Sequence, residues 1–281
     1  MVSSLKHCDI LEMLPDRKAD SHKGDYGRIL LICGSRGYTG AAALSAMGAL
    51  RVGAGLVHLA VPDSIYEIEA VKLLEPIVMP LKDIDGGLSV ESWPEIQNLL
   101  PKMDAVRFGP GLGSTHDVTE VLRNLLESYN GPIVLDADGI NCLPVHMDIL
   151  RGRKAPVIIT PHQGEFDRLR GCSCSDRLEA AISTAVDLGV TVVLKGHHTV
   201  VTDGDVTYVN ETGNPGMAVG GSGDILAGMI VGLIGQGIPT IQSAAIAVWL
   251  HGAAGDICAT DMGQYGMLPS DMLAVIPRLM K

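Results

Sequence analysis

A glycine-rich stretch near residue 220 carries the residue types that bind phosphate. Residues 213–224 contain five glycines, and the apolar run 225–234 follows directly. Because glycine loses much conformational entropy inside helices and strands, this stretch predicts a loop, and the apolar run predicts a helix. Backbone N–H groups at the positive end of such a helix favour an anion. The predicted anion loop comprises Gly220, Gly221, Ser222 and Gly223.

Asp224 closes this loop and has two interpretations. A carboxylate in the first turn of a helix is a good cap, contributing about 1 kcal/mol. Beside a phosphate site, however, a capping carboxylate would repel the ligand. The second interpretation is therefore a base that faces the acceptor group of a phosphoryl transfer.

The composition excludes two classes of partner. The chain has 281 residues and a formal net charge of −11, without a polybasic run. Nucleic acids and anionic membrane surfaces both require clustered basic residues, so we expect neither as a partner. An acidic protein binds phosphates locally, through backbone N–H groups, one or two basic side chains and Mg²⁺.

The N-terminus and the cysteines indicate the compartment. Residues 1–25 are polar and charged, without the apolar segment of a signal peptide. The six cysteines are scattered, as in reduced proteins of the cytosol, and Cys172 and Cys174 lack a second pair that would complete a metal site. We therefore predict a cytoplasmic protein without a firm protein-borne metal site.

Apolar strands alternate with helices along the chain. Buried strands are predicted at 28–33, 55–61, 104–108, 132–135, 157–159 and 190–194, followed by a hairpin within 199–209. This alternation is typical of a parallel sheet with helices on both faces. The sequence thus predicts one α/β domain over residues 1–281. Ligands of such sheets bind beyond the carboxyl ends of the strands.

Carboxylates and a histidine follow two of these strands. Asp136 and Asp138 are a candidate metal pair, although a helix cap or a hydrogen-bonded turn explains them equally well. His162 and Glu165 lie in a predicted loop directly after residues 157–159, where a polar ring on a short turn favours a functional role.

Basic residues follow a third strand. Lys195 ends a buried strand beside a glycine, which favours a phosphate or carboxylate partner. His197 and His198 are adjacent, and adjacent strand residues point to opposite faces, so we do not expect them to share a metal ion. His251, in an alanine-rich helix, is predicted to be a hydrogen-bonded core residue.

Six short motifs span nearly the whole chain. They are His22-Lys23-Gly24-Asp25-Tyr26-Gly27, the Gly-Ala-Ala run at Gly40, Gly109-Pro110-Gly111-Leu112-Gly113, Thr160-Pro161-His162-x-Gly164-Glu165, Lys195-Gly196-x-x-Thr199 and the run from Asn214 to Asp224. Together and in this order they resemble the NAD(P)H-hydrate dehydratase family. The resemblance implies a ribokinase-like α/β fold with a mostly parallel central sheet and helices on both faces.

The resemblance also implies an activity. It is the dehydration of the S epimer of hydrated NADH or NADPH, coupled with Mg²⁺ to hydrolysis of ADP, or of ATP, giving AMP or ADP and phosphate. Asp224 would be the catalytic base. By residue match, the hydrated nicotinamide nucleotide would contact Ala41, Gly111, His162 and Asp224. The adenine nucleotide would contact Lys195, Gly196, His197, His198, Thr199 and Gly223.

The resemblance gives an expectation about a partner, and the composition gives one about assembly. Bifunctional relatives carry a preceding epimerase domain, and 281 residues leave no room for one, so we expect the epimerase on a separate chain. The alanine-rich helices after Gly223 and an aromatic content of only 4% predict a homo-oligomer, with a tetramer favoured.

Two other functions remain open. The first is a ribokinase-like kinase acting on a vitamin precursor or sugar alcohol. Hydroxymethylpyrimidine-type kinases carry Cys at the position of Asp224, and sugar kinases usually carry an Asp-Thr-x-Gly-Ala-Gly-Asp pattern that this chain lacks. The second is a nucleotide-sensing protein without catalysis, which would be favoured if Asp224 were absent.

Overall fold

Twelve β-strands are found in the computed structural model, which describes residues 2–281. They are β1 (Val2–Ser3), β2 (Arg28–Ile32), β3 (Leu56–Pro62), β4 (Ile77–Leu81), β5 (Asp83–Ile84), β6 (Gly87–Leu88), β7 (Ala105–Phe108), β8 (Ile133–Leu135), β9 (Val157–Ile159), β10 (Thr191–Leu194), β11 (Val200–Thr202) and β12 (Thr207–Val209). Strands β5 and β6 form a separate small hairpin, and the other ten form one sheet.

Helices cover both faces of the ten-stranded sheet. They are α1 (His7–Met13), α2 (Thr39–Arg51), α3 (Asp63–Lys72), α4 (Trp93–Leu99), α5 (His116–Ser128), α6 (Asp138–Asn141), α7 (Met147–Gly152), α8 (Gln163–Arg170), α9 (Arg177–Leu188), α10 (Ser222–Gly235), α11 (Thr240–Met262) and α12 (Pro269–Val275). Short 3₁₀ turns join several of them, including Pro215–Met217 in the glycine-rich stretch. Across residues 2–281, we find no helix with the length and apolar character needed to cross a membrane.

The sheet is parallel except at one strand. Its order is β1-β12-β11-β10-β9-β8-β7-β2-β3-β4, and β11 alone runs antiparallel to its neighbours. From β2 the chain proceeds outward through β3 to β4, and it then returns to β7 and proceeds the other way through β8, β9 and β10. The topological switch point therefore lies between β2 and β7, where open α/β sheets bind their ligands. The predicted fold class is confirmed.

The central strands are apolar throughout because both of their faces are buried. Along β2, Ile29 and Leu31 belong to the core formed with α2, α10 and α11, whereas Leu30 and Ile32 belong to the core formed with α4, α5, α8 and α9. The period of two along a strand thus assigns each side chain to one of two separate cores.

Helices α2 and α10 pack at very close range over the switch point. A Cβ atom at Gly228 would overlap the backbone carbonyl of Ser45, and one at Gly48 would overlap the backbone of Ile225. These glycines let the two helix backbones approach each other, which fixes where α10 begins relative to the sheet.

Two predictions about local structure were wrong, and the five-residue edge strand β4 was missed. Helix α10 begins at Ser222 rather than Ile225, so Ser222–Asp224 form its first turn. Helix α8 begins directly after His162, where a loop was expected. Strand β4 was not predicted, because it contains Pro80, which is tolerated in a strand at the edge of a sheet.

Candidate functional site

A cleft of about 900 Å³ opens at the carboxyl ends of the strands. Four segments line it: His162 after β9, the turn Lys195–Thr199 after β10, residues 210–219 after β12, and the first turn of α10. The predicted adenine-nucleotide residues therefore lie together in one cavity. Helix α11 closes the far side of the cleft with Val248, His251 and Gly252.

Gly221 lies directly before the first turn of α10, which faces this cleft. This residue is the N-cap with φ +100°, a left-handed conformation that favours glycine. Ser222 and Gly223 follow it and line the cleft. The Oγ atom of Ser222 lies 3.3 Å from Nε2 of His251, a buried histidine whose pKa burial lowers to about 4. His251 is thus a hydrogen-bonded core residue, as predicted, and it also faces the cleft.

The preceding loop is tied to α11. Asp256 accepts a hydrogen bond from the Gly213 N–H at 2.9 Å and another from Asn214 Nδ2 at 2.9 Å. The Asn214 side chain in turn accepts from the Gly216 N–H at 3.0 Å. The glycine-rich stretch is therefore a fixed part of the cleft wall.

Asp224 lies in the first turn of α10 and faces the sheet. Its carboxylate is 3.5 Å from an Nη atom of Arg107, and its side chain is 18% exposed. Burial raises the pKa of Asp224 to about 6, and the nearby Asp136 carboxylate acts in the same direction, whereas Arg107 and Lys195 oppose the rise. A carboxylate with this pKa accepts a proton near neutral pH more readily than an exposed one.

Arg107 is the residue that the sequence analysis missed. It lies on β7, is fully buried, and donates hydrogen bonds from Nη1 to Ser45 Oγ and from Nη2 to Asp136 Oδ2, the latter at 3.0 Å. The available signal was a single charged residue inside the apolar run of a buried strand. Such a charge is rarely found without a partner.

Asp136 links the basic residues of the site. It accepts from Lys195 Nζ at 2.9 Å and from Thr160 Oγ1 at 2.7 Å, in addition to Arg107. Burial by itself raises the pKa of Asp136, but Lys195, Arg107 and Thr160 outweigh it, so the pKa lies below its usual value. The predicted carboxylate partner of Lys195 is therefore Asp136.

Lys195 also contacts the anion loop. A Cβ atom built on Gly223 would lie 3.3 Å from Lys195 Nζ, whose side chain is 19% exposed. One cation is thus shared between a buried carboxylate and the predicted phosphate position at the start of α10.

Asp138 begins α6, and its carboxylate is hydrogen-bonded to the preceding turn. Its Oδ2 atom accepts from the Gly113 N–H at 2.8 Å, which fastens the Gly109–Gly113 turn to the start of α6. His162 is the N-cap of α8, and its Nδ1 accepts from the N–H groups of Gly164 and Glu165 at 3.0 and 3.4 Å. The His162 N–H in turn donates to Oε2 of Glu165 at 2.8 Å.

His197 and His198 were treated as adjacent residues of a strand, and this was wrong. Strand β10 ends at Leu194, so the two histidines lie in a turn, and their rings are in contact with centroids 4.0 Å apart. Thr199 Oγ1 closes the turn by donating to the Gly196 carbonyl at 2.9 Å. Arg177 braces it by donating to the His197 carbonyl at 2.9 Å.

Ala41 and Gly111 follow β2 and β7, the two strands that flank the switch point. Ala41 is in the first turn of α2, and its carbonyl accepts a hydrogen bond from Ser45, the partner of Arg107. Gly111 packs against Tyr38, the N-cap residue of α2. Ala41 is thus linked to Asp224 through Ser45 and Arg107.

The groups that could hold Mg²⁺ in the cleft are few. In the described part of the chain, residues 2–281, no three His, Cys, Asp or Glu side chains converge as metal ligands. Both carboxylate oxygens of Asp136 are already occupied by hydrogen bonds from basic and hydroxyl groups. These residues fit an ion that enters with a nucleotide, because Mg²⁺ commonly binds phosphates and retains several waters.

Comparison with known proteins gives a consistent result. The family model described as NAD(P)H-hydrate dehydratase matches residues 29–278. The bifunctional NAD(P)H-hydrate repair enzyme of Moorella thermoacetica is 42% identical over 275 residues, which are 95% of this chain and 52% of that enzyme. The chain therefore spans about half the length of this curated relative.

Two solved structures cover almost the whole chain. The ADP/ATP-dependent NAD(P)H-hydrate dehydratase of Bacillus subtilis, co-crystallised with ATP and Mg²⁺, is similar with a TM-score of 0.85 and 31% identity, covering 99% of this chain and 97% of that one. A ribokinase-like superfamily protein of Enterococcus faecalis has a TM-score of 0.87 and 31% identity, covering 99% and 95%.

Proposed function

Because the chain belongs to the NAD(P)H-hydrate dehydratase family, we propose that it dehydrates the S epimer of hydrated NADH or NADPH at the expense of ADP or ATP. The observation that carries the proposal is the position of Asp224, a largely buried carboxylate that follows Gly223 of the cleft directly and lies 3.5 Å from Arg107. A phosphoryl donor on one side and a hydroxyl acceptor on the other would meet at this residue.

The cleft is the proposed adenine-nucleotide site. The Lys195–Thr199 turn supplies the basic side of the cavity, and Gly223 at the start of α10 supplies backbone N–H groups for phosphate. Mg²⁺, as part of the nucleotide complex, supplies charge neutralisation of the phosphates. Lys195 lies within reach of the transferred group while Asp136 keeps it oriented.

The hydrated nicotinamide is proposed to lie against Ala41, Gly111 and His162. Asp224 accepts the proton of the ring hydroxyl, whose oxygen attacks the terminal phosphorus while the bond to the nucleotide breaks. The N–H groups of Gly220 to Gly223 stabilise the charge of the transferring group. The lone pair of the ring nitrogen then expels phosphate, and loss of a proton from the neighbouring ring carbon restores the dihydronicotinamide.

Assembly and location are parts of the same proposal. A cytoplasmic homo-oligomer, with a tetramer favoured, is supported by the six unpaired cysteines and the alanine-rich helices after Gly223. We also propose a functional link to an epimerase activity that interconverts the hydrate epimers. Light scattering at micromolar concentration tests the assembly, and a monomeric mass would contradict it.

A product balance tests the activity. Purified protein is incubated with hydrated NADH, Mg²⁺ and either ADP or ATP, and NADH absorbance, nucleotide product and phosphate are followed together. We expect one NADH and one phosphate for each AMP formed from ADP. A stable phosphorylated compound without NADH would instead indicate a ribokinase-like small-molecule kinase.

A further inference from the structure

We propose that Arg107 is a positioning residue for the reaction: shared between Asp136 and Asp224, its guanidinium orients the Asp224 carboxylate toward the substrate hydroxyl and keeps it ready to accept a proton. This inference rests on the proposed function of Asp224. Arg107 lines neither the cleft nor the Lys195–Thr199 turn, so the inference adds a residue to the site.

The first argument is geometric. The guanidinium is fully buried, and a single Nη2 atom lies 3.0 Å from Asp136 and 3.5 Å from Asp224. The other terminal nitrogen, Nη1, is held by Ser45 on α2. Arg107 therefore bridges β7, the residue after β8, α2 and the first turn of α10, which are the elements that meet at the switch point.

The second argument is the charge balance. Two cations, Arg107 and Lys195, face two carboxylates, Asp136 and Asp224. Asp136 contacts both cations and Thr160, whereas Asp224 contacts only the shared nitrogen of Arg107 at a longer distance. The two carboxylates thus have different tasks: Asp136 anchors the cations, and Asp224 is left free to exchange a proton.

The third argument concerns which group titrates. The titratable or charged groups that face Asp224 are Arg107 on β7, Asp136 after β8, Lys195 after β10, Cys33 after β2 and, across the first turn of α10, His251 on α11. Burial raises the pKa of Cys33 to about 12 and lowers the pKa of His251 to about 4. Both side chains are therefore neutral near pH 6 to 8, and Asp224 is the member of this group whose pKa lies near pH 6.

Substitution of Arg107 tests the charge. A cation within about 6 Å lowers the pKa of a carboxyl by about 1–3 units, so Arg107→Met should move the acid limb of kcat/KM upward by about 1–3 pH units. Turnover should fall about 2- to 100-fold at pH 7 and recover as the pH approaches 9. Arg123→Met removes an arginine that pairs with Glu120 on the surface of α5, and its acid limb should not move. An unshifted acid limb in Arg107→Met would overturn the proposal.

A second variant distinguishes the effect of the Arg107 charge from the effect of its hydrogen-bonding geometry. It also remains informative if Arg107→Met does not fold. Arg107→Lys keeps the charge, but a single ammonium cannot reach Ser45, Asp136 and Asp224 together. We expect an acid limb close to that of the wild type with kcat lowered at every pH. Full kcat in Arg107→Lys would contradict the positioning role.

A readout without turnover distinguishes this inference from the proposed function. The carboxyl resonance of Asp224, assigned by its loss in Asp224→Asn, is titrated by carbon NMR in wild type and in the Arg107 variants. If the wild type does not dehydrate hydrated NADH, the proposed function is wrong, whereas this titration still reports whether Arg107 controls Asp224. An identical titration in wild type and Arg107→Met would refute the inference alone.

Discussion

Replacing Asp224 by Asn should make the protein less active and more stable at neutral pH. Asn retains the shape of Asp but cannot accept a proton, so turnover should fall by about 10²- to 10⁴-fold, or about 2.7 to 5.4 kcal/mol of barrier. A helix-cap residue would behave differently, because Asn caps nearly as well as Asp. In the structure the N-cap of α10 is Gly221, and the Asp224 carboxylate faces Arg107.

The expected stability gain follows from the pKa of Asp224. Burial raises that pKa from 3.8 to about 6, and one unit corresponds to about 1.36 kcal/mol, so the ionised carboxylate costs the folded state about 3 kcal/mol. A raised folded-state pKa means that the stabilising contribution is complete below pH 3.8 and is lost as the pH rises through 6. The neutral Asn escapes this loss, so the variant should be more stable at pH 7.

The assay compares urea unfolding of wild type and Asp224→Asn at several pH values, alongside turnover. The difference in the free energy of unfolding should be largest at neutral pH and should vanish as the pH falls from about 6 toward 4, because the wild-type carboxyl then becomes protonated. Near-normal turnover would refute the assignment of Asp224 as the base. A variant that is less stable than wild type at pH 7 would refute the electrostatic reasoning.

Three further outcomes follow from the same geometry. The acid limb of wild-type kcat/KM should lie near pH 6, so the rate at pH 5 should be about tenfold below the plateau, and a flat profile to pH 5 would contradict a base with the pKa of Asp224. Asp256→Asn replaces one of the two oxygens that accept hydrogen bonds from Gly213 and Asn214, so it should destabilise this loop by about 1–3 kcal/mol. The nucleotide KM should rise more than kcat falls. An unchanged KM would argue against an anchoring role of Asp256. Gly228→Ala places a Cβ atom against the backbone of α2 and should lower the free energy of unfolding in urea by about 1–3 kcal/mol. The control Gly152→Ala places its Cβ atom in open space and should leave the stability unchanged. Equal stabilities of the two variants would contradict the close packing of α2 and α10.

Most of the fold could be predicted from the hydrophobic periodicity of the sequence and the order of its motifs. The apolar runs at β2, β7, β9 and β10 were identified from the sequence because both of their faces are buried, which leaves an unbroken hydrophobic pattern. The edge strand β4 is also an apolar run, but it contains Pro80, which a central strand would not tolerate. Helix α8 was missed because its first turn, Gln163–Glu165, is polar and glycine-containing.

The sequence predicted only those site residues whose role is indicated by their immediate neighbours in the chain. Lys195 and Asp224 were identified because each follows an apolar run or a glycine loop. The contacts of Asp136 with Thr160 and Lys195 join residues that are 24 and 59 positions apart, and they are visible only once the sheet is formed. Arg107 was missed for the same reason, since nothing near it in sequence identifies Ser45 or Asp224 as partners.

The most direct test of the central claim follows the oxygen atom of the substrate hydroxyl. If that oxygen attacks the terminal phosphorus of the nucleotide and its bond to the ring carbon then breaks, it must leave in inorganic phosphate. Hydrated NADH carrying heavy oxygen at the hydroxyl is converted with ADP and Mg²⁺, and the released phosphate is analysed by mass spectrometry. We expect one heavy oxygen in each phosphate formed, whereas heavy oxygen recovered in water with unlabelled phosphate would contradict the phosphoryl-transfer mechanism.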